Sequence, residues 1–167
     1  SGNKMYNVNR RIDNFVRRGD KASAIQLLQL VIEKEPLSVG SYYRLASLYR
    51  NSDNPIAAEA ALSKIEMILN NITSDEQQRE LNQFGYYLLA DNNLPLAIQV
   101  FNKITQAFPT SANAFDSLGE AYEIAKDYQR SAEAYAKAAI LAAKHAPAQK
   151  DTFEQNYKRV LQKRETP

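Results

Sequence analysis

The chain has 167 residues, 44% of them hydrophobic, with a formal net charge of +2, no cysteine and one histidine. That length supports one continuous core. The missing cysteines exclude disulfides and thiolate chemistry, and the small net charge gives no strong drive toward nucleic acid or an acidic membrane surface. Glycine and proline are scarce and no alternating β-branched run occurs, so the expected class is all-α. No apolar run approaches the ~18 residues that a membrane-spanning helix needs.

Ser1-Gly2-Asn3 ahead of Lys4-Met5 reads as a cloning remnant, so residues 1–4 are expected to be a tail, with a leader or an upstream domain removed. Cytoplasm is the favoured compartment, periplasm the alternative. Residues 4–18 predict a first helix with an apolar stripe of Val8, Ile12, Phe15 and Val16. Arg10, Arg11, Arg17 and Arg18 are interleaved, either as a solvated outer face or as the entrance of an anion-binding groove. Gly19-Asp20 is a turn, and a second helix runs to about Lys34. Ser38 is an expected N-cap for a third helix carrying Tyr42, Leu45, Ala46 and Tyr49. Asn51 to Pro55 is a turn, with Pro55 near the first position of a helix extending to about Leu69. Ser74 with Gln77 three residues on predicts a capping box and an early start for the fifth helix. Asp91-Asn92-Asn93 turns the chain into a helix from Leu94 to Ala107. Ser111 caps the next helix, and Lys126-Asp127 separates it from its partner, which is expected to run on toward Pro147. A last helix, about Ala148 to Lys163, places Phe153, Tyr157, Val160 and Leu161 on one face among basic residues.

These elements repeat. Leu118, Tyr122, Lys126, Ser131, Tyr135 and Ala138 fall on Phe84, Leu88, Asn92, Ala97, Phe101 and Ile104 one period of 34 earlier. They fall on Leu45, Tyr49, Asp53, Ala58, Leu62 and Ile65 after a further 39, and on Arg11, Phe15, Gly19, Ala24, Leu28 and Val31 after another 34. The five extra residues lie around Thr73 to Gln77. A period of this length signals a solenoid. The position of Ala24, Ala58, Ala97 and Ser131 is always small, as two closely crossing helices require. The large residues at Phe15, Tyr49, Leu88 and Tyr122, and at Leu28, Leu62, Phe101 and Tyr135, fill the space between the helices. Gly19, Asp53, Asn92 and Lys126 hold the turn.

Leu118-Gly119 with Tyr122, Asp127-Tyr128, Tyr135 and Ala138 resemble the tetratricopeptide repeat (TPR) family. Gly85 and Ala46 repeat the small residue after Phe84 and Leu45. Departures are Val8, Tyr42, Leu81 and Phe115 at the family's tryptophan position, Arg11 at an apolar one, and Ala143 in place of the closing proline. The resemblance implies a right-handed α-α superhelix of antiparallel helix pairs, with repeats at about 5–38, 39–72, 78–111 and 112–145, and a capping helix and tail over 146–167. It also implies which residues face the concave groove: Asn9, Arg10 and Asp13; Tyr43, Arg44, Ser47 and Arg50; Arg79, Asn82, Gln83 and Tyr86; Asn113, Asp116 and Glu120, with Tyr6, Leu89, Ser117 and Glu123 in the same positional set. Arginines in the first three repeats and acids in the fourth predict a polarised groove. The pattern of a chaperone carboxylate clamp is not matched at Asn9, Asp13, Arg44, Arg79 and Gln83.

No catalytic residue, metal or cofactor is expected. His145 stands alone near a helix end, Ser117 lacks the strand–turn–helix setting of a nucleophile elbow, and Glu120 with Glu123 is common helix spacing. The expected function is a protein-interaction scaffold that holds an extended or helical partner segment in its groove, with a homodimer possible through convex faces or solenoid ends. The alternative is a non-catalytic C-terminal TPR domain of a larger bacterial enzyme such as a serine hydrolase or esterase, which the stretch Phe115 to Tyr122 resembles. RNA binding is disfavoured by the acids of the fourth repeat.

Overall fold

The structure is a computed structural model that describes residues 2–165, with side chains from Tyr6 onward. Ser1 and the last two residues of the expected tail lie outside them. The described residues divide into two units, within residues 1–70 and 71–167. The first holds α1 (Gly2–Arg17), α2 (Lys21–Lys34), α3 (Val39–Arg50) and α4 (Pro55–Leu69). The second holds α5 (Asp75–Ala90), α6 (Leu94–Ala107), α7 (Ala112–Ile124), α8 (Tyr128–His145), a 3-10 turn at Pro147–Gln149, and α9 (Lys150–Glu165). Each helix packs on the next within its unit. The class is all-α, built from antiparallel helix pairs of the solenoid type. Residues expected as a tail differ: α1 begins at Gly2. The last helix starts at Lys150, because Pro147 opens a separate 3-10 turn.

The four hairpin turns share one backbone solution. Gly19, Asp53, Asn92 and Lys126 all have positive φ, from 54° to 75°. In each turn two hydrogen bonds close back onto the preceding helix, as with Asp127 N–H to Tyr122 O (2.9 Å) and Lys126 N–H to Glu123 O (3.0 Å). This is the Schellman arrangement, which satisfies carbonyls a helix end would otherwise leave unpaired. The following residue, Asp20, Asn54, Asn93 or Asp127, then caps the next helix by accepting a backbone N–H with its side chain. Helix stop and helix start thus fall on adjacent residues, which fixes the hairpin tightly. Ser74 and Gln77 form the expected capping box. Ser38 differs: it holds the N-cap position, but its hydroxyl pairs with the Ser41 hydroxyl at 2.9 Å instead of capping α3.

Inside the hairpins the helices touch at the small position. Ala24, Ala97 and Ser131 are fully buried and Ala58 nearly so; the Ser131 hydroxyl donates to the Gly119 carbonyl at 2.8 Å. Opposite, the first helix adjusts its own residue size. A Cβ on Gly85 would lie 2.5 Å from the Phe101 ring, and one on Gly119 would lie 2.7 Å from the Tyr135 ring. In the first hairpin the second helix supplies Leu28 in place of an aromatic, and Ile12 and Leu28 are buried together with Ala24. Glycine faces an aromatic in the last two hairpins, whereas isoleucine shares its core with a leucine in the first. Some expected core residues differ, and Phe15 and Tyr49 are only half-buried. Leu62 is only half-buried, because Ala61 and Ile65 turn into the core of the second hairpin. Val16 is exposed, because Ile12 takes the inward side of α1. Arg11 is exposed, so its apolar neighbour Ile12 restores the stripe.

Gly119→Ala is expected to destabilise by about 1–3 kcal/mol, since the Tyr135 ring must move, whereas Gly40→Ala, with open space at its Cβ, leaves the urea midpoint almost unchanged. Gly19→Ala is expected to cost about 1 kcal/mol through its backbone alone, and Lys126→Gly to stabilise by a similar or smaller amount. Urea unfolding followed by circular dichroism measures all four.

Candidate functional site

On the first unit, one helical turn places Asn9 and Asp13 on the same side of α1. Arg44 of α3 reaches both: its Nη2 is 2.5 Å from Asp13 Oδ1, and its Nη1 donates to Asn9 Oδ1 at 3.3 Å. Two successive first helices are thereby joined by a polar bridge. Arg44 is one of the arginines expected to await an acidic ligand, yet it already faces a carboxylate of its own chain. Arg10 and Arg50 are exposed, and Ser47 is half-buried. Tyr43 departs from the expected groove set: it is buried, so its ring belongs to the packing of α3.

On the second unit, Tyr86 of α5 donates to Glu120 Oε2 of α7 at 2.9 Å and lies 3.1 Å from the Ser117 hydroxyl. Its ring meets Phe101 edge-on at 5.4 Å. Burial pushes the Tyr86 phenol up to about 12, so it is a donor at neutral pH. Gln78 donates to the Ser111 hydroxyl at 2.9 Å, tying α5 to the cap of α7. Arg79, Gln83 and Asn113 are exposed and Asn82 is half-buried.

The densest cluster joins α7, α8 and α9. Asp116 accepts from Asn156 Nδ2 at 2.8 Å; burial raises its carboxyl, and that hydrogen bond partly opposes the rise. Glu123 accepts from Arg159 Nε (3.1 Å) and Nη2 (2.8 Å), from Lys163 Nζ (2.9 Å) and from the Tyr135 hydroxyl (2.8 Å). The two-point guanidinium fork is the strong form of this contact. The Arg159 hydrogen bonds lead in holding Glu123 down at about 2; the same contact raises Arg159. Burial and the Glu123 carboxylate raise Tyr135. A cavity of about 380 Å³ opens here, lined by Glu120, Glu123, Ile124, Tyr135, Asn156, Arg159 and Lys163.

The groove set expected from sequence therefore meets in separate bridges: Asn9, Asp13 and Arg44 on one unit, Tyr86 and Glu120 on the other, and Asp116 at the closing helix. Sequence reasoning missed Asn156, Arg159 and Lys163 as partners of α7. The signal was present, because spacings of three and four put them on one face of α9, matching Asp116, Glu120 and Glu123 on one face of α7. Among the described residues no three His, Cys, Asp or Glu side chains gather as a metal site, and no helix is long and apolar enough to cross a membrane.

Glu123 titrates from an ordinary 4.5 down to about 2, so its contribution to stability is complete above the unfolded value and is lost as pH falls through that window. Melting temperature is expected to drop between pH 5 and pH 2 more steeply in the parent chain than in Glu123→Gln, with the two profiles converging at the acid end.

The tetratricopeptide repeat family matches residues 82–147. No curated protein sequence matches the chain. Among solved structures, the nearly identical TPR-like repeats of a kinesin light chain from Podosopora anserina are similar at TM-score 0.51 and 13% identity, covering 95% of this chain and 85% of that one. MamA 41-end from Desulfovibrio magneticus RS-1 is similar at TM-score 0.40 and 18% identity, covering 98% of both chains. Pseudomonas aeruginosa pilF is similar at TM-score 0.39 and 18% identity, covering 96% of this chain and 78% of that one. The family match thus covers residues 82–147, and the two earlier hairpins repeat the same left-handed turn.

Proposed function

We propose that this chain, a protein-interaction scaffold by its repeat family, holds an extended or helical segment of a partner protein along the exposed faces of its first helices. The observation that carries this reading is the polar bridging between successive first helices. Arg44 joins α3 to α1, and Tyr86 joins α5 to α7. Such bridges fix donors and acceptors in place before a ligand arrives, which lowers the ordering cost of binding. Around them stand exposed polar side chains, Arg10 and Arg50 on one unit and Arg79, Gln83 and Asn113 on the other. Arginine with amides suits both backbone hydrogen bonding and two-point carboxylate contacts. In this reading Arg10 and Arg50 meet acidic groups of a segment bound on the first unit, and Arg79 does so on the second.

Affinity capture with the full chain, followed by cross-linking of the captured segment, tests this. Arg44→Glu places two like charges opposite each other at the bridge to Asp13 and is expected to lower recovery of the partner at least tenfold while the helical spectrum is kept. Equal recovery by Arg44→Glu, or cross-links confined to the second helices of the hairpins, overturns groove binding.

A further inference from the structure

We propose that the cavity bounded by α7, α8 and α9 is a pocket for a single lysine side chain of the partner segment, with Glu120 as its anchoring acid; this rests on the scaffold reading above and names the residue that the segment brings to the second unit. α9 stays in its place and forms one wall.

One acid on this face is left without a cation. Asp116, Glu120 and Glu123 stand at spacings of four and three on α7, so their carboxylates share one side of the helix. α9 answers them with two cations, Arg159 and Lys163, and both bond to Glu123. Asp116 receives the neutral amide of Asn156. Glu120 receives only the Tyr86 hydroxyl, which carries no charge. Like charges one turn apart on a helix repel, so a further cation beside Glu120 relieves the whole row. An acidic side chain in the cavity would meet both Glu120 and Glu123, and the sign of the ligand is thereby set.

Glu120 is also held ready. Its Oε2 accepts from the Tyr86 hydroxyl at 2.9 Å, and the Tyr86 ring is itself fixed edge-on against Phe101. Among the described residues no donor reaches Oε1. A guanidinium fork takes both oxygens of a carboxylate, whereas an ammonium is a compact charge that needs one. A carboxylate with one oxygen already bonded therefore favours lysine over arginine. A fixed acceptor lowers the ordering cost of binding.

The walls suit the rest of that side chain. Ile124 lines the same cavity one turn from Glu120 and is 47% exposed. A lysine stem covers apolar surface of this kind while its head stays with the charge. The volume of about 380 Å³ lies at the low end of the roughly 300–1,000 Å³ of ligand pockets. It admits one long side chain with its water.

The test titrates the nitrogen-15-labelled full chain with three blocked pentapeptides, each with alanines flanking a central lysine, norleucine or arginine, and reads the amide shifts of residues 120–124. The lysine peptide is expected to bind at least tenfold more tightly than the norleucine peptide, and more tightly than the arginine peptide. Glu120→Gln keeps an acceptor for Tyr86 but removes the charge, and is expected to abolish the difference between lysine and norleucine. Ile124→Ser, at an exposed position, is expected to weaken the lysine peptide at least twofold. Absence of shifts at residues 120–124 with the lysine peptide, equal binding of norleucine, arginine binding as tightly as lysine, or a lysine preference that survives Glu120→Gln overturns the proposal. Arg44→Glu acts on the first unit and Glu120→Gln on the second, so the scaffold reading and the lysine pocket fail separately.

Discussion

Each hairpin rests on a close approach between its two helices, and that approach limits which side chains can share a crossing. Where Phe101 or Tyr135 enters from the second helix, the first helix withdraws to glycine at Gly85 or Gly119. Where the second helix supplies Leu28, the first restores volume with Ile12. Ala24, Ala58, Ala97 and Ser131 keep the remaining side of the crossing thin. A methyl group too many at this point has nowhere to go, because interiors are packed at crystal-like density. The polar surfaces outside are positioned only as accurately as these crossings are.

The turns carry the same economy along the backbone. A left-handed residue closes one helix, and the next residue opens another with its side chain. Three of the four left-handed positions hold residues suited to that conformation. The fourth is Lys126, which adopts it nonetheless at φ 60°, because the two closing hydrogen bonds and the cap at Asp127 outweigh the strain of about 1 kcal/mol. This turn sits in the hairpin whose packing around Tyr135, Ser131 and Gly119 is the most complete.

On the polar faces, charge is largely answered within the chain. Arg44 is met by Asp13, Glu120 by the Tyr86 hydroxyl, and Glu123 by Arg159 and Lys163. Glu123 is the extreme case, since four hydrogen bonds converge on it from α8 and α9.

The sequence alone determined the repeat and its small, large and turn positions, because spacing along a helix maps directly onto faces. Gly19, Asp53, Asn92 and Lys126 were legible as turns from register, and Gly85 and Gly119 as small positions from the family resemblance. What the tertiary structure decided is which polar side chains meet. Tyr43 was placed in the groove by position and is buried. Asn156, Arg159 and Lys163 were visible as one face of the last helix, but their partners on α7 lie some forty residues earlier. Periodicity reports the face a residue occupies; the angle at which α9 lands on α8 fixes what that face touches.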